Sequence, residues 1–279
     1  MQPSPIAETS SPHFQDPDAS AGVTYLYRVT ALLDGQESLP STSARTDPRV
    51  LLEPIVSVIS ETEVVVSWAP HPAADVVGYN VYRSLATVHT VVQGVQAPWK
   101  DNDPLYDEPK VTLVEGVGPY QLLHSMPVEG TSFTDTDVDL AAAGPEAGDH
   151  AYAVYAYVVR AVNRLGVESG PSPYALTIPS EPRSVLVKEA GNEAHIQWQP
   201  SLEQNIVGYR VYQLGSDVFE IVLRTADPIT ESSFVQVTDG QTTRFWITAI
   251  DALGQEGQPS SPAWYGHRYD GYFTGEWHQ

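Results

Sequence analysis

Eight histidines and two groups of acids are the residues placed to do metal or acid–base chemistry. His13, His71, His89, His124, His150, His195, His267 and His278 are scattered. No two have the i, i+2 or i, i+4 spacing that lets imidazoles share one metal ion. The acids gather at Asp101-Asn102-Asp103 with Asp107-Glu108, and at Asp135, Asp137 and Asp139. Carboxylate oxygens on a loop suit calcium, so Asp101, Asp103 and Asp107 are the calcium candidates. The second group lacks the turning glycine that a calcium loop needs at its sixth position. A solvated acidic surface is the plainer reading, since residues 85–150 hold eleven acids against Lys100 and Lys110. Paired carboxylates for glycoside cleavage would need a cleft, and nothing in the pattern shapes one. The chain has no cysteine, which removes thiol catalysis, disulfides and thiolate metal sites. It has no Gly-x-Ser-x-Gly elbow, phosphate loop or dinucleotide fingerprint. No catalytic residue is named, no enzyme is expected, and calcium is the one cofactor in view.

The elements that would position these residues repeat. Val66-Ser67-Trp68-Ala69-Pro70 leads to Val77-Gly78-Tyr79-Asn80-Val81-Tyr82, and 130 residues later Ile196-Gln197-Trp198-Gln199-Pro200 leads to Val207-Gly208-Tyr209-Arg210-Val211-Tyr212. Each copy predicts a strand ending in an inward Trp, a turn, and a second alternating strand. A further motif occurs three times, at Tyr25–Ala31, Tyr155–Ala161 and Thr243–Ala249. Its period of two buries one face. Each copy runs into a Gly turn and a Ser/Pro cluster, which predicts a hairpin.

This ordered set resembles fibronectin type III repeats, of the kind found in bacterial surface proteins. The resemblance implies an all-β fold of tandem immunoglobulin-like sandwiches, with Trp68 packed against Tyr157 and Trp198 against Phe245. The expected units are a partial one at 1–47, one at 48–180 with an insertion near 86–130, one at 181–263, and a tail at 264–279.

Three departures follow from spacing. Trp198 to Phe245 is 47 residues, but Trp68 to Tyr157 is 89, so the middle unit carries 42 more. The insertion is expected to be either a covering loop anchored by Trp99, Tyr106, Leu113, Tyr120, Leu122 and Leu123, or an extra pair of strands forming a contact surface. The first unit supplies a strand near Phe14 and the last hairpin only, exposing Tyr25, Tyr27, Val29 and Ala31. Such a face needs a cover. The cover is strands lying upstream, the chain's own middle unit, or a neighbouring subunit. At the other end six of sixteen residues are aromatic: Trp264, Tyr265, Tyr269, Tyr272, Phe273 and Trp277. That end is expected to bury itself on its own sandwich, to anchor in a neighbour, or to stack on sugar.

Composition limits the partners. The 279 residues carry a net charge of −21, which disfavours nucleic acid and anionic lipid. No apolar run reaches the roughly 18 residues of a membrane span. The first thirty residues hold no basic patch followed by an apolar block, so no signal peptide is expected there. No Arg-Gly-Asp or Asn-x-Ser/Thr occurs. The resemblance implies a non-catalytic structural or adhesive protein, extracellular or at the cell surface. Its subunit contacts are Tyr25, Tyr27, Val29 and the aromatic end, and its partners are copies of itself head-to-tail, another surface protein or a polysaccharide. The expected role is a subunit of a self-assembling filament. The other reading is an accessory region of a larger secreted enzyme or phage tail.

Overall fold

The computed structural model describes residues 5–92, 110–215 and 221–266. The fold is all-β apart from one 3₁₀ turn at Pro145–Ala147. At the amino end β1 (Leu26–Tyr27) pairs with β4 (Ala44–Arg45), and β2 (Leu32–Leu33) with β3 (Gln36–Glu37). These pairs form one two-stranded ribbon.

The middle sandwich packs two sheets. One has the order β10 (Ser132–Asp135), β6 (Glu63–Ser67), β5 (Ile55–Ser60). The other has the order β12 (Ala175–Leu176), β11 (Tyr155–Asn163), β7 (Val76–Val92), β8 (Lys110–Val117), with β9 (Gln121–Leu122) also on β7. The last sandwich repeats this. Its sheets run β13 (Leu186–Ala190), β14 (Glu193–Gln197), β17 (Ser233–Val237), and β16 (Ile221–Leu223), β15 (Ile206–Leu214), β18 (Thr243–Asp251), β19 (Ala263–Tyr265). A three-stranded sheet facing one of five strands in the middle sandwich and of four in the last, all antiparallel, is the fibronectin type III arrangement that the repeats imply.

Alternation drives the packing. In β6 Val64 and Val66 are fully buried while Glu63, Val65 and Ser67 are not. Each such inward valine contributes roughly 1.5–3 kcal/mol. Trp68, Tyr157, Val81 and Val159 share one core, and Trp198, Phe245, Val211 and Ile247 the other. The ring that meets each tryptophan edge-on lies on the next strand. Trp68–Tyr79 and Trp198–Tyr209 both have centroids 5.3 Å apart. Each tyrosine oxygen then accepts a turn amide, from His71 and Ser201, at 2.8 Å. Glycine precedes both tyrosines because a Cβ on Gly78 or Gly208 would lie 2.8 or 2.7 Å from a proline Cβ.

Two expectations change. Trp264 and Tyr265 do not begin a separate tail. They form β19, paired with Thr243–Phe245. Tyr265 is 3% exposed in its own core, and its hydroxyl donates to Gly191 O at 2.7 Å, so both ring and hydroxyl are taken up within its own sandwich. Trp264 is half-exposed, and the Arg244 guanidinium lies 5.0 Å from its ring and 5.4 Å from that of Trp246. The insertion, second, begins as a plain continuation of β7, whose residues 86–92 pair with β8. Tyr120 packs on a small core around Ala86, Val88 and Val154, and Leu123 on the main one. Leu113 and Leu122 are exposed. Trp99 and Tyr106 lie outside the described residues.

Candidate functional site

Two places depart from a plain pair of sandwiches: the junction between them and the ribbon. At the junction the inserted hairpin reaches the last sandwich. Gln258 Nε2 donates to Thr112 O at 2.6 Å, and Thr112 N donates to Gln258 Oε1 at 3.1 Å. Gln255 Nε2 donates to Thr177 O, Gln204 N to Ser57 Oγ, and Gln258 N to Pro179 O. Gly257 lies so close that a Cβ there would stand 2.3 Å from Pro179 O.

A cleft of about 300 Å³ opens beside these contacts, with Lys110, Asp149 and His150 on one wall and Arg210, Tyr212 and Glu256 on the other. Its groups are engaged with one another. Arg210 pairs with Glu256 at 2.7 Å, Thr90 donates to Asp149, and His150 Nε2 is 3.0 Å from Thr112 Oγ1. Burial, more than any neighbour, pushes the His150 pKa down. The bonds beside it, not the cleft, join the two sandwiches.

The acids of the second group are also spent on structure. Asp135 Oδ2 takes Arg83 Nη1 at 2.7 Å and the Tyr157 hydroxyl at 2.8 Å. Its Oδ1 accepts Asp137 N, and Asp139 Oδ1 accepts Ala142 N. Burial first, then the Asp135 charge, raises the Tyr157 pKa. Among the described residues no cluster of three or more His, Asp or Glu could hold a metal. Asp101, Asp103 and Asp107 lie outside them, as do Tyr269, Tyr272, Phe273 and Trp277.

The ribbon repeats the hydrogen bonds of the last hairpin of the middle sandwich, and some of those of the last one, around a turn one residue shorter. Ser41 N donates to Val29 O, as Ser172 N does to Val159 O and Ser260 N to Ile247 O. In return Val29 N, Val159 N and Ile247 N donate to the hydroxyls of those serines. Tyr25 N donates to Thr46 Oγ1 as Tyr155 N does to Thr177 Oγ1. Asp16 Oδ2 accepts the Tyr27 hydroxyl at 2.7 Å, as Asp135 accepts that of Tyr157. That bond to Asp16, above all, pushes the Tyr27 pKa up to about 12.

The surroundings differ. Val159 and Ile247 are 0% exposed, but Val29 is 72% exposed, and Ala31 is exposed where Ala161 and Ala249 are buried. Among the described residues the ribbon's hydrogen bonds to the middle sandwich are at its base, Gly22 N to Leu165 O and Asn163 Nδ2 to Thr46 O, both 2.8 Å. The chain's own middle unit therefore does not cover this face.

Each sandwich also carries an outer-face ladder that sequence spacing did not reveal. Glu168 accepts the Tyr82 hydroxyl at 2.6 Å and Asn80 Nδ2 at 2.5 Å, and pairs with Arg160 at 3.1 Å. Burial alone would raise Glu168, but the bonds from Tyr82 and Asn80 and the Arg160 charge hold it below the usual carboxylate range. Tyr82 is pushed up to about 12, by burial and then by Glu168. In the last sandwich Glu256 accepts the Tyr212 hydroxyl at 2.6 Å and Thr248 Oγ1 at 2.7 Å, and pairs with Arg210. The cation has changed strands: Asn80 faces Arg160, while Arg210 faces Thr248.

No family model and no curated protein matches the chain. Among solved structures it is similar to the two-domain fibronectin type III segment of chicken tenascin, at 16% identity over 77% of this chain and 97% of that one, TM-score 0.27. It is similar to the chicken CNTN1 FN1–FN3 domains, at 17% identity over 88% and 77%, TM-score 0.28. An Fn3-like protein from Clostridium thermocellum matches at 21% identity over 31% and 88%, TM-score 0.25. With identities and TM-scores this low, the fold rests on the strand order and register of the chain itself.

Proposed function

We propose that this chain is a non-catalytic structural or adhesive protein of the cell exterior, and that its ribbon is completed by a β-strand of another surface protein. The observation that carries this is Val29, 72% exposed at a position wholly buried in both complete sandwiches. An open strand edge beside an apolar face is a template for strand addition. A head-to-tail contact with an identical copy has less behind it, because Trp264 and Tyr265 are engaged in their own sandwich.

A second reading, a rigid spacer within a larger secreted protein, is favoured by the bonded junction at Gln258 and Gly257. One experiment separates the two. A photo-cross-linking residue at position 29, in cells making the protein, is expected to give an adduct to a different polypeptide. Adducts confined to the same polypeptide favour the spacer, and adducts to residues 267–279 of a second copy restore the head-to-tail contact. Either result, or no adduct, overturns the proposal.

A further inference from the structure

The two ladders set a rule that the ribbon must also obey. Where β11 carries arginine, at Arg160, the facing β7 offers Asn80. Where β18 carries threonine, at Thr248, the facing β15 supplies Arg210. The ribbon has Thr30 at this place. Its Leu32↔Glu37 pair takes the position of Val162↔Glu168 and Ile250↔Glu256. Among the described residues no hydrogen bond or ion pair reaches the Glu37 carboxylate. By the rule, its cation comes from the strand that is not there.

The inner face makes a second demand. Tyr25, Tyr27 and Asp16 stand where Tyr155, Tyr157 and Asp135 stand in the middle sandwich. The Asp18 N to Asp16 Oδ1 bond, 3.0 Å, matches that of Asp137 N to Asp135 Oδ1, also 3.0 Å. In the middle sandwich this group is completed by Arg83, which is bonded to Asp135, lies 5.2 Å from the Tyr155 ring and faces Tyr157 across the sheet. Among the described residues no cation pairs with Asp16. Where the last sandwich replaces the tyrosine with Phe245, the facing residue is the neutral Gln213.

We infer that the strand completing the ribbon belongs to a neighbouring polypeptide and carries the sequence Arg-apolar-Tyr-Arg. It lies antiparallel to Tyr25–Ala31, with its first arginine beside Thr30 and Glu37 and its second beside Tyr27 and Asp16. Two cations then meet two carboxylates, one on each face. This rests on the proposed reading of the ribbon and names the chemistry of its partner. Among the 279 residues Arg-x-Tyr occurs once, at Arg210–Tyr212, where it is built into β15 and followed by Gln213.

Three peptides test this against the full chain, followed by the amide resonances of Tyr25–Ala31. They are residues 77–85, the same peptide with Asn80→Arg, and that peptide with Arg83→Gln added. The two-arginine peptide is expected to bind at least about fivefold tighter than either one-arginine peptide, as charge-assisted hydrogen bonds predict. Glu37→Gln in the chain should remove the gain from Asn80→Arg, and Asp16→Asn the gain from Arg83. Equal affinity for all three peptides, or gains that survive these substitutions, overturns the sequence signature alone. If no peptide shifts the amides, the docking reading of the ribbon falls with it.

Discussion

Gln258 binds Thr112 as a neighbouring strand would: its side-chain amide donates to the Thr112 carbonyl and accepts from the Thr112 N–H. These residues are 146 apart in sequence and lie in different sandwiches. One glutamine thus caps the outer edge of β8, whose other edge pairs with β7 at Thr90.

Gln258→Ala should remove both bonds and cost the junction about 1–3 kcal/mol. NMR relaxation is expected to show the last sandwich tumbling more independently of the middle one, with the core of each unchanged. Unaltered tumbling would mean that the remaining junction bonds suffice.

Gly257→Ala should have a larger effect. Its Cβ would sit 2.3 Å from Pro179 O, a backbone atom of the segment that joins β12 to β13. Gly116→Ala, where the added Cβ meets open space, is the matched control and should stay within roughly 0.5 kcal/mol of the parent. Equal melting temperatures for the two variants would contradict the crowding.

Asp135→Asn should destabilise the middle sandwich by about 3–5 kcal/mol, because it strips the charge partner from a largely buried Arg83. Tyr157→Phe leaves that ion pair standing and copies Phe245 of the last sandwich, so about 1–1.5 kcal/mol is expected. Urea unfolding measures both, and a Tyr157→Phe cost as large as that of Asp135→Asn would refute this ranking.

The His150 imidazole titrates below its ordinary value of 6.5 in the folded state, chiefly through burial. The unfolded chain therefore binds the proton first as pH falls. Its contribution to stability is complete above pH 6.5 and is lost as pH drops below it. His150→Gln should flatten the fall in melting temperature between pH 7 and pH 5. The raised pKa of buried Asp251 acts in the opposite sense and is common to both proteins, so the difference between them isolates His150. A parallel fall in both would exclude the histidine.

Much of this fold is legible in the residues. The Trp-turn-Gly-Tyr repeat and the threefold hairpin motif define sheets, register and core, because burial imposes a period of two on every inward strand. The ribbon's exposed face follows from the same spacing. What spacing alone cannot give is pairing at long range. Trp68 belongs with Tyr79 on the neighbouring strand as well as with the Tyr157 core. Tyr265 looked like part of an aromatic tail because the matching strand of the middle sandwich, Ala175–Leu176, has no aromatic residue to announce it. The Thr30–Glu37 demand became visible only once Asn80 was seen facing Arg160 and Arg210 facing Thr248.

That exchange of the cation between facing strands bears on how two units of like fold form within one polypeptide. If β15 met β11, Arg210 would face Arg160; if β7 met β18, Asn80 would face Thr248 with no positive charge for Glu256. Tandem repeats are prone to such misassembly between neighbours. Here the wrong partners repel or go unsatisfied, so each sandwich holds a lock that its sibling's strand does not open.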